Sequence, residues 1–162
     1  MATPDSLTEL YNRCHIMEIA EYEKMRRRRS HRSLSFIIAD IDNFKSVNDR
    51  YGHEIGDQTL TMVSRRIRNV LREQDIIARW GGEEFLMLLP DTETGVAVTV
   101  DKRIREPIVA TSVRQGGDEF TITITLGVSE CRENENIDAC IARADQALYR
   151  GKNAGKNHVE MA

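Results

Sequence analysis

The stretch "DIIARWGGEEFLMLLP", Asp75 to Pro90, decides the fold. Two apolar runs flank Gly81-Gly82. That pattern predicts two strands joined by a two-residue hairpin turn, because the primed turns that match strand twist need the positive φ that glycine adopts at little cost. Glu83 and Glu84 then open the second strand, where a rigid turn presents their carboxylates. Adjacent strand residues point to opposite faces, so only one of the two acids is expected to share a site with an acid from a neighbouring strand.

Upstream, "DSLTELYNRCHIMEIAEYEKMRRRR" predicts a helix capped at Asp5 or Ser6 and running to about Arg29. Phe36 to Ala39 are consecutively apolar and predict a strand buried on both faces, ending at Asp40. "NFKSVNDRYGHEIGD" reads as turns, followed by an amphipathic helix from about Glu54 to Arg72. Downstream, a helix from Thr92 or Thr94 to about Thr111 must accommodate Pro107. "FTITITLGVS" alternates and predicts a half-buried strand, and "NIDACIARADQALYRGK" an amphipathic helix stopped by Gly151 and Gly155. A short strand over His158 to Met161 closes the chain. The fold class is therefore α+β, a central, mostly antiparallel five-stranded sheet flanked by helices.

A second copy of the acidic turn, "GGDEF", lies at Gly116 to Phe120. It follows a polar helix-to-strand connection, so Asp118 and Glu119 read as a solvated loop, and the chemistry is placed at Glu83 and Glu84. The bulk numbers agree with one globular domain. The chain has 162 residues and a net charge of −3, which argues against nucleic acid as a partner. No apolar run is long enough to span a bilayer, so no membrane contact by this domain is expected. Cys14, Cys131 and Cys140 form no CxxC and leave an odd thiol in any disulfide scheme, which fits reduced thiols and a cytoplasmic location. The four histidines give no zinc spacing.

An acid ending a buried strand, Asp40, and an acid at a neighbouring hairpin tip make a carboxylate pair for Mg²⁺, which takes one or two carboxylates plus substrate phosphates. The turn after Asp40 offers backbone N–H groups for phosphate oxygens, with Lys45 beside it. Lys152 and Lys156 stand just after the last helix, among glycines. Together these describe a metal-bridged polyphosphate site.

At this point the motifs resemble a known family, the diguanylate cyclases named for their GGDEF signature. "DSLTELYNR", "DIDNFKSVNDRYGHEIGD", "RWGGEEF", "TLGVS" and "ADQALYRGKNAGKN" match its motifs in order over nearly the whole chain. The resemblance implies a nucleotidyl cyclase or polymerase palm fold, and a single catalytic domain over residues 1–162 excised from a longer protein with an N-terminal sensory or dimerisation region. It implies condensation of two GTP into cyclic di-GMP across a homodimer. Asp40, the Ile41 carbonyl and Glu83 would hold Mg²⁺, with Mn²⁺ as a substitute. Glu84 would lie close to the reacting 3′-hydroxyl, with the choice of base between it and Glu83 open. Asn48 and Asp57 would read guanine, with His53 nearby. The amides of Asn43 and Phe44, with Lys45, Lys152 and Lys156, would hold phosphates. Arg72 and Asp75, in an R-x-x-D pattern, and Arg103 would form an inhibitory product site. A non-catalytic GTP or cyclic di-GMP receptor is the alternative. The family's usual A-K-x-x-G-R reads "GKNAGK" here, so Lys156 keeps charge but lacks the arginine fork.

Overall fold

The computed structural model describes residues 3–162. Five strands form one sheet in the order β2-β3-β1-β6-β7, with a separate two-stranded ribbon, β4-β5. The strands are β1 Leu34–Ile41, β2 Ile76–Arg79, β3 Glu84–Pro90, β4 Val113–Gln115, β5 Asp118–Phe120, β6 Ile124–Glu130 and β7 Val159–Met161. The helices are α1 Arg13–Ser30, α2 Phe44–Tyr51, α3 His53–Val70, α4 Thr94–Val109 and α5 Ile137–Asn153. β1 lies centrally, antiparallel to β3 and β6, and only β7 joins in parallel. That parallel pair is linked by α5, the crossover such a connection needs. The α+β expectation with a mostly antiparallel five-stranded sheet is therefore met.

The consecutive apolar residues of β1 are explained by its two covered faces. Ile37, Ala39 and Ile41 join a cluster with Leu60, Val63 and Ile67 of α3 and Ile104 of α4. Phe36 and Ile38 join another with Ile16 and Ala20 of α1 and Ile141 and Ala144 of α5. α5 lies close on β6 because Gly127 has no side chain. A Cβ there would stand 2.1 Å from the Ala144 carbonyl oxygen. Covered on both faces, β6 is buried almost throughout rather than half-buried, despite its alternating threonines. Ser129 and Thr125 remain inside because their hydroxyls donate to the Cys140 carbonyl and the Asp42 carboxylate.

Several expectations are corrected. α1 starts at Arg13, not at Asp5 or Ser6. Asn12 is its cap, its Oδ1 accepting the His15 N–H, whereas Asp5 closes a separate turn by accepting from Thr8. The segment read as turns contains α2, which buries Phe44 and Val47 and is separated from α3 by Gly52 at φ 91°. The Gly81-Gly82 connection is wider than a two-residue turn. Arg79 pairs with Phe85, and the Trp80 N–H still reaches the Glu84 carbonyl at 2.8 Å, leaving Gly81, Gly82 and Glu83 as the loop. Neither glycine has positive φ. The tight two-residue hairpin is formed instead by the other copy. Gln115 pairs with Asp118 around Gly116-Gly117, with Gly116 at φ 60°. Asp118 and Glu119 are exposed there, as a short strand rather than a loop. α5 runs through Gly151, which is buried and packs so close to β6 that a Cβ would stand 2.8 Å from Thr125 Cγ2. α4 contains Pro107 in its last turn, and its cap residue is Glu93 rather than a threonine. Among the described residues no helix is long and apolar enough to cross a membrane, and Cys14, Cys131 and Cys140 are free thiols.

Candidate active site

The site forms where β1 ends beside the loop between β2 and β3. Asp40, near the end of β1, is paired with Glu84 across the ladder. The next residue, Ile41, donates its N–H to the Glu83 carbonyl at 3.2 Å. Asp40, Ile41, Glu83 and Glu84 thus lie together at this end of β1. The expected separation of the two glutamates onto opposite faces does not hold, because Glu83 lies in the loop and only Glu84 in the strand. Asp40 presses charge on both. Burial first, then Asp40, Asp145 and Glu83, push Glu84 up to about 7. Burial and Asp40 also raise Glu83. Burial raises Asp40 most, against the opposing pull of Lys152.

This crowding is what a divalent cation would relieve. Among the described residues no three His, Cys, Asp or Glu side chains converge on one point. An ion completed by substrate oxygens rather than by a protein cage suits such a donor set. The residues therefore fit a divalent cation, which Asp40 and Glu83 would hold by side-chain oxygens with the Ile41 carbonyl beside them.

Next to the acids opens a cavity of about 470 Å³ lined by Phe44, Lys45, Asn48, His53, Asp57, Leu60, Arg79, Gly82 and Glu83. Five residues singled out for nucleotide binding, on α2 and α3, therefore share one wall with the signature loop. Asn48 Oδ1 is buried and has no hydrogen-bond partner among the described residues. It occupies the space left by Gly56, where a Cβ would meet it at 1.8 Å. Asn43 has φ 57° and leads into α2, whose N-terminus no side chain caps. Its first-turn N–H groups are of the kind that hold anions. Asn43 itself lines a neighbouring cleft with Asp42, Ser46 and Phe120.

Lys152 and Lys156 reach this end of β1 from α5 and the turn after it. Lys152 lies inside the helix, not beyond it. Its ammonium is 2.8 Å from Asp40 Oδ1 and 2.7 Å from Asp42 Oδ1. Lys156 donates to Asn43 Oδ1 at 2.6 Å. Three participants were absent from the sequence reading. Asp42 is buried at the head of the site, and "DID" offered it as a second acid. Asp145 adds charge from α5. Arg79 braces the signature loop by donating to the Gly82 carbonyl at 2.9 Å while paired with Asp5.

The R-x-x-D residues lie apart from the acids. Arg72 is paired with Asp75 at 2.8 Å, and its Nη2 also donates to the Pro90 carbonyl and to Thr92 Oγ1. Both residues line a second cavity of about 380 Å³ with Tyr11 and Arg68. Arg103 is not among its lining residues; it donates from α4 to the Val70 carbonyl.

Known proteins resemble this chain in sequence and fold. Residues 2–158 match the family described as "Diguanylate cyclase, GGDEF domain". The chain is 41% identical over 161 residues to the diguanylate cyclase DgcP of Pseudomonas aeruginosa, covering 99% of this chain and 24% of that protein. It is 39% identical over 155 residues to the diguanylate cyclase DgcM of Escherichia coli, covering 96% of this chain and 37% of that one. Among solved structures, the GGDEF domain of DgcB from Caulobacter crescentus, crystallised in complex with c-di-GMP, superposes with a TM-score of 0.94 at 31% identity, covering 98% of this chain and 92% of that one. The match places this sheet among palm-like folds. With a family match along nearly its whole length and a sheet that superposes on a solved member, the chain belongs to the GGDEF-domain family of diguanylate cyclases.

Proposed function

We propose that this domain condenses two GTP molecules into cyclic di-GMP, releasing two pyrophosphates. The meeting of Asp40 with Glu83 and Glu84, beside a cavity walled by Asn48, His53 and Asp57, carries the reading. Mg²⁺, or Mn²⁺ in its place, would supply charge stabilisation at the phosphates when held by Asp40, Glu83 and the Ile41 carbonyl. The chain's own groups do the rest. Asn48 and Asp57 address the guanine edge, whose O6 acceptor and 2-amino donor adenine does not reproduce. An unpaired buried polar group costs about 1–3 kcal/mol, enough to discriminate between the bases. The open N-terminus of α2, with Lys45, Lys152 and Lys156, receives phosphate oxygens. Glu84, held at about 7, is able to take a proton near neutral pH. Glu83 is the other candidate for that task. Each 3′-hydroxyl attacks the α-phosphorus of the other nucleotide, giving up its proton as pyrophosphate departs. One nucleotide per domain then requires two domains facing each other across a two-fold axis.

The domain is read as the catalytic piece of a longer cytoplasmic or membrane-tethered sensor, in keeping with its small share of each relative's length. Arg72 and Asp75, with Arg103 contributing from α4, are read as the seat of product inhibition. Guanidinium groups pair well with phosphates and guanine edges. Incubation with GTP and Mg²⁺ at several protein concentrations tests the proposal. Pyrophosphate release per domain that rises with concentration supports it. Nucleotide binding without release would make the domain a receptor.

A further inference from the structure

The ammonium of Lys152 stands between two carboxylates that are held very differently. Asp42 is buried and over-supplied with donors. Besides Lys152 it accepts from Thr123 Oγ1 at 2.6 Å, Thr125 Oγ1 at 2.7 Å and the Asn157 N–H at 2.9 Å. Those partners come from the entry to β6, from β6 itself and from the turn after α5. Asp42 therefore stays in place and remains solvated by protein whether or not the lysine is there. Asp40 has a thinner shell. Lys152 is its ion-pair partner among the described residues, Glu84 is its side-chain hydrogen-bond neighbour, and burial and the charge of Asp42 work against its ionised form. The ammonium also lies 3.3 Å from the Asp40 carbonyl oxygen, so it occupies the space at the end of β1 on the side of the metal-holding carboxylate.

We propose that Lys152 is a placeholder for the divalent cation at Asp40, perched on Asp42, so that metal enters the site only together with a triphosphate that draws the ammonium away. The inference rests on the reading of Asp40 as a metal-holding residue. Its physics is competition for one carboxylate. A divalent cation arriving alone must displace an ammonium already paired at 2.8 Å, or bind beside it against like-charge repulsion. Mg²⁺ also gives up its water reluctantly. A triphosphate changes both terms, since its oxygens attract the ammonium and complete the coordination of the ion. Metal and nucleotide then raise each other's affinity by the same factor.

Mn²⁺ titration of the full chain without nucleotide, followed by electron paramagnetic resonance, tests this. K152Q is expected to bind Mn²⁺ about 10-fold tighter or more than the unsubstituted protein, and K152R no tighter. Unchanged or weaker binding by K152Q, or a comparable gain in K152R, overturns the placeholder. Adding D40N to K152Q is expected to abolish the gain. A gain that survives D40N puts the ion elsewhere and overturns the Asp40 reading itself. Since K152Q removes a partner of buried Asp42, a measurement on the unsubstituted protein stands beside it. The ¹⁵N resonance of the Lys152 ammonium is expected to stay in place when Mg²⁺ is added alone, and to move when Mg²⁺ comes with a non-hydrolysable GTP analogue. Movement with Mg²⁺ alone overturns the proposal.

Discussion

Asp40 and Glu84 are directly opposed across the β1–β3 ladder, two carboxylates from distant parts of the chain at one register position. Burial first, and then the like charge so placed, disfavour a second anion, and Glu84 holds its proton up to about 7 instead of its ordinary 4.5. In the metal-free domain the folded state therefore binds more protons than the unfolded chain between those two values. Its stability should fall as pH rises from 4.5 through 7. Thermal melting in chelator across that range checks the sign. E84Q should flatten this part of the profile.

Glu83 stands outside the buried core and lies in a loop, so its replacement should spare the fold. E83Q is expected to lose pyrophosphate release by about 10²-fold or more, with a melting temperature close to that of the unsubstituted domain. Retained turnover would take Glu83 out of the site.

Arg72 has two employments, one structural and one proposed. R72A should relieve inhibition by added cyclic di-GMP, measured as a rise of several-fold in the half-inhibitory concentration. It should also cost about 1 kcal/mol, because the Pro90 carbonyl and Thr92 Oγ1 each lose a donor. Equal inhibition of both proteins would reduce Arg72 and Asp75 to an ion pair.

Away from the site, Glu135 is clamped by Arg143. That guanidinium, with help from the Arg132 N–H, holds its carboxyl down to about 2. The stabilisation is complete above the ordinary value of 4.5 and is lost as pH falls from there through about 2. Acid unfolding of E135Q should show a shallower dependence in that window.

The seat of α5 on β6 gives a packing prediction. G127A places a methyl 2.1 Å from the Ala144 carbonyl oxygen and 2.5 Å from the Leu148 nitrogen, both backbone atoms. Destabilisation of about 1–3 kcal/mol is expected, as for other over-packed cores, and urea denaturation measures it.

Much of this was legible in the residues. The unbroken apolar run of β1 announced a strand covered on both faces, and the acids at its end and at the hairpin tip announced each other. What misled was local spelling read without its surroundings. Gly-Gly at 81–82 looked like a primed turn, yet the register carries the pairing only to Trp80 and Glu84, and the primed-type demand for positive φ arises at Gly116. α2 was hidden because Asn43 and Gly52 bracket it with left-handed backbone, which reads as turn. Its two buried residues become intelligible only once the sheet beneath is known. Asp42 was passed over because a carboxylate that accepts from four partners needs three remote segments to explain it.

The break at Gly52 has its own consequence. Asn48 ends up on one helix and Asp57 on the next, so the spacing of the two residues proposed to read a base is set by a single peptide elbow at φ 91° and ψ 165°. Any residue with a β-carbon would strain there. On the proposed reading, the gauge of that slot, and with it the size of ring it would admit, is written into the one amino acid that has no side chain.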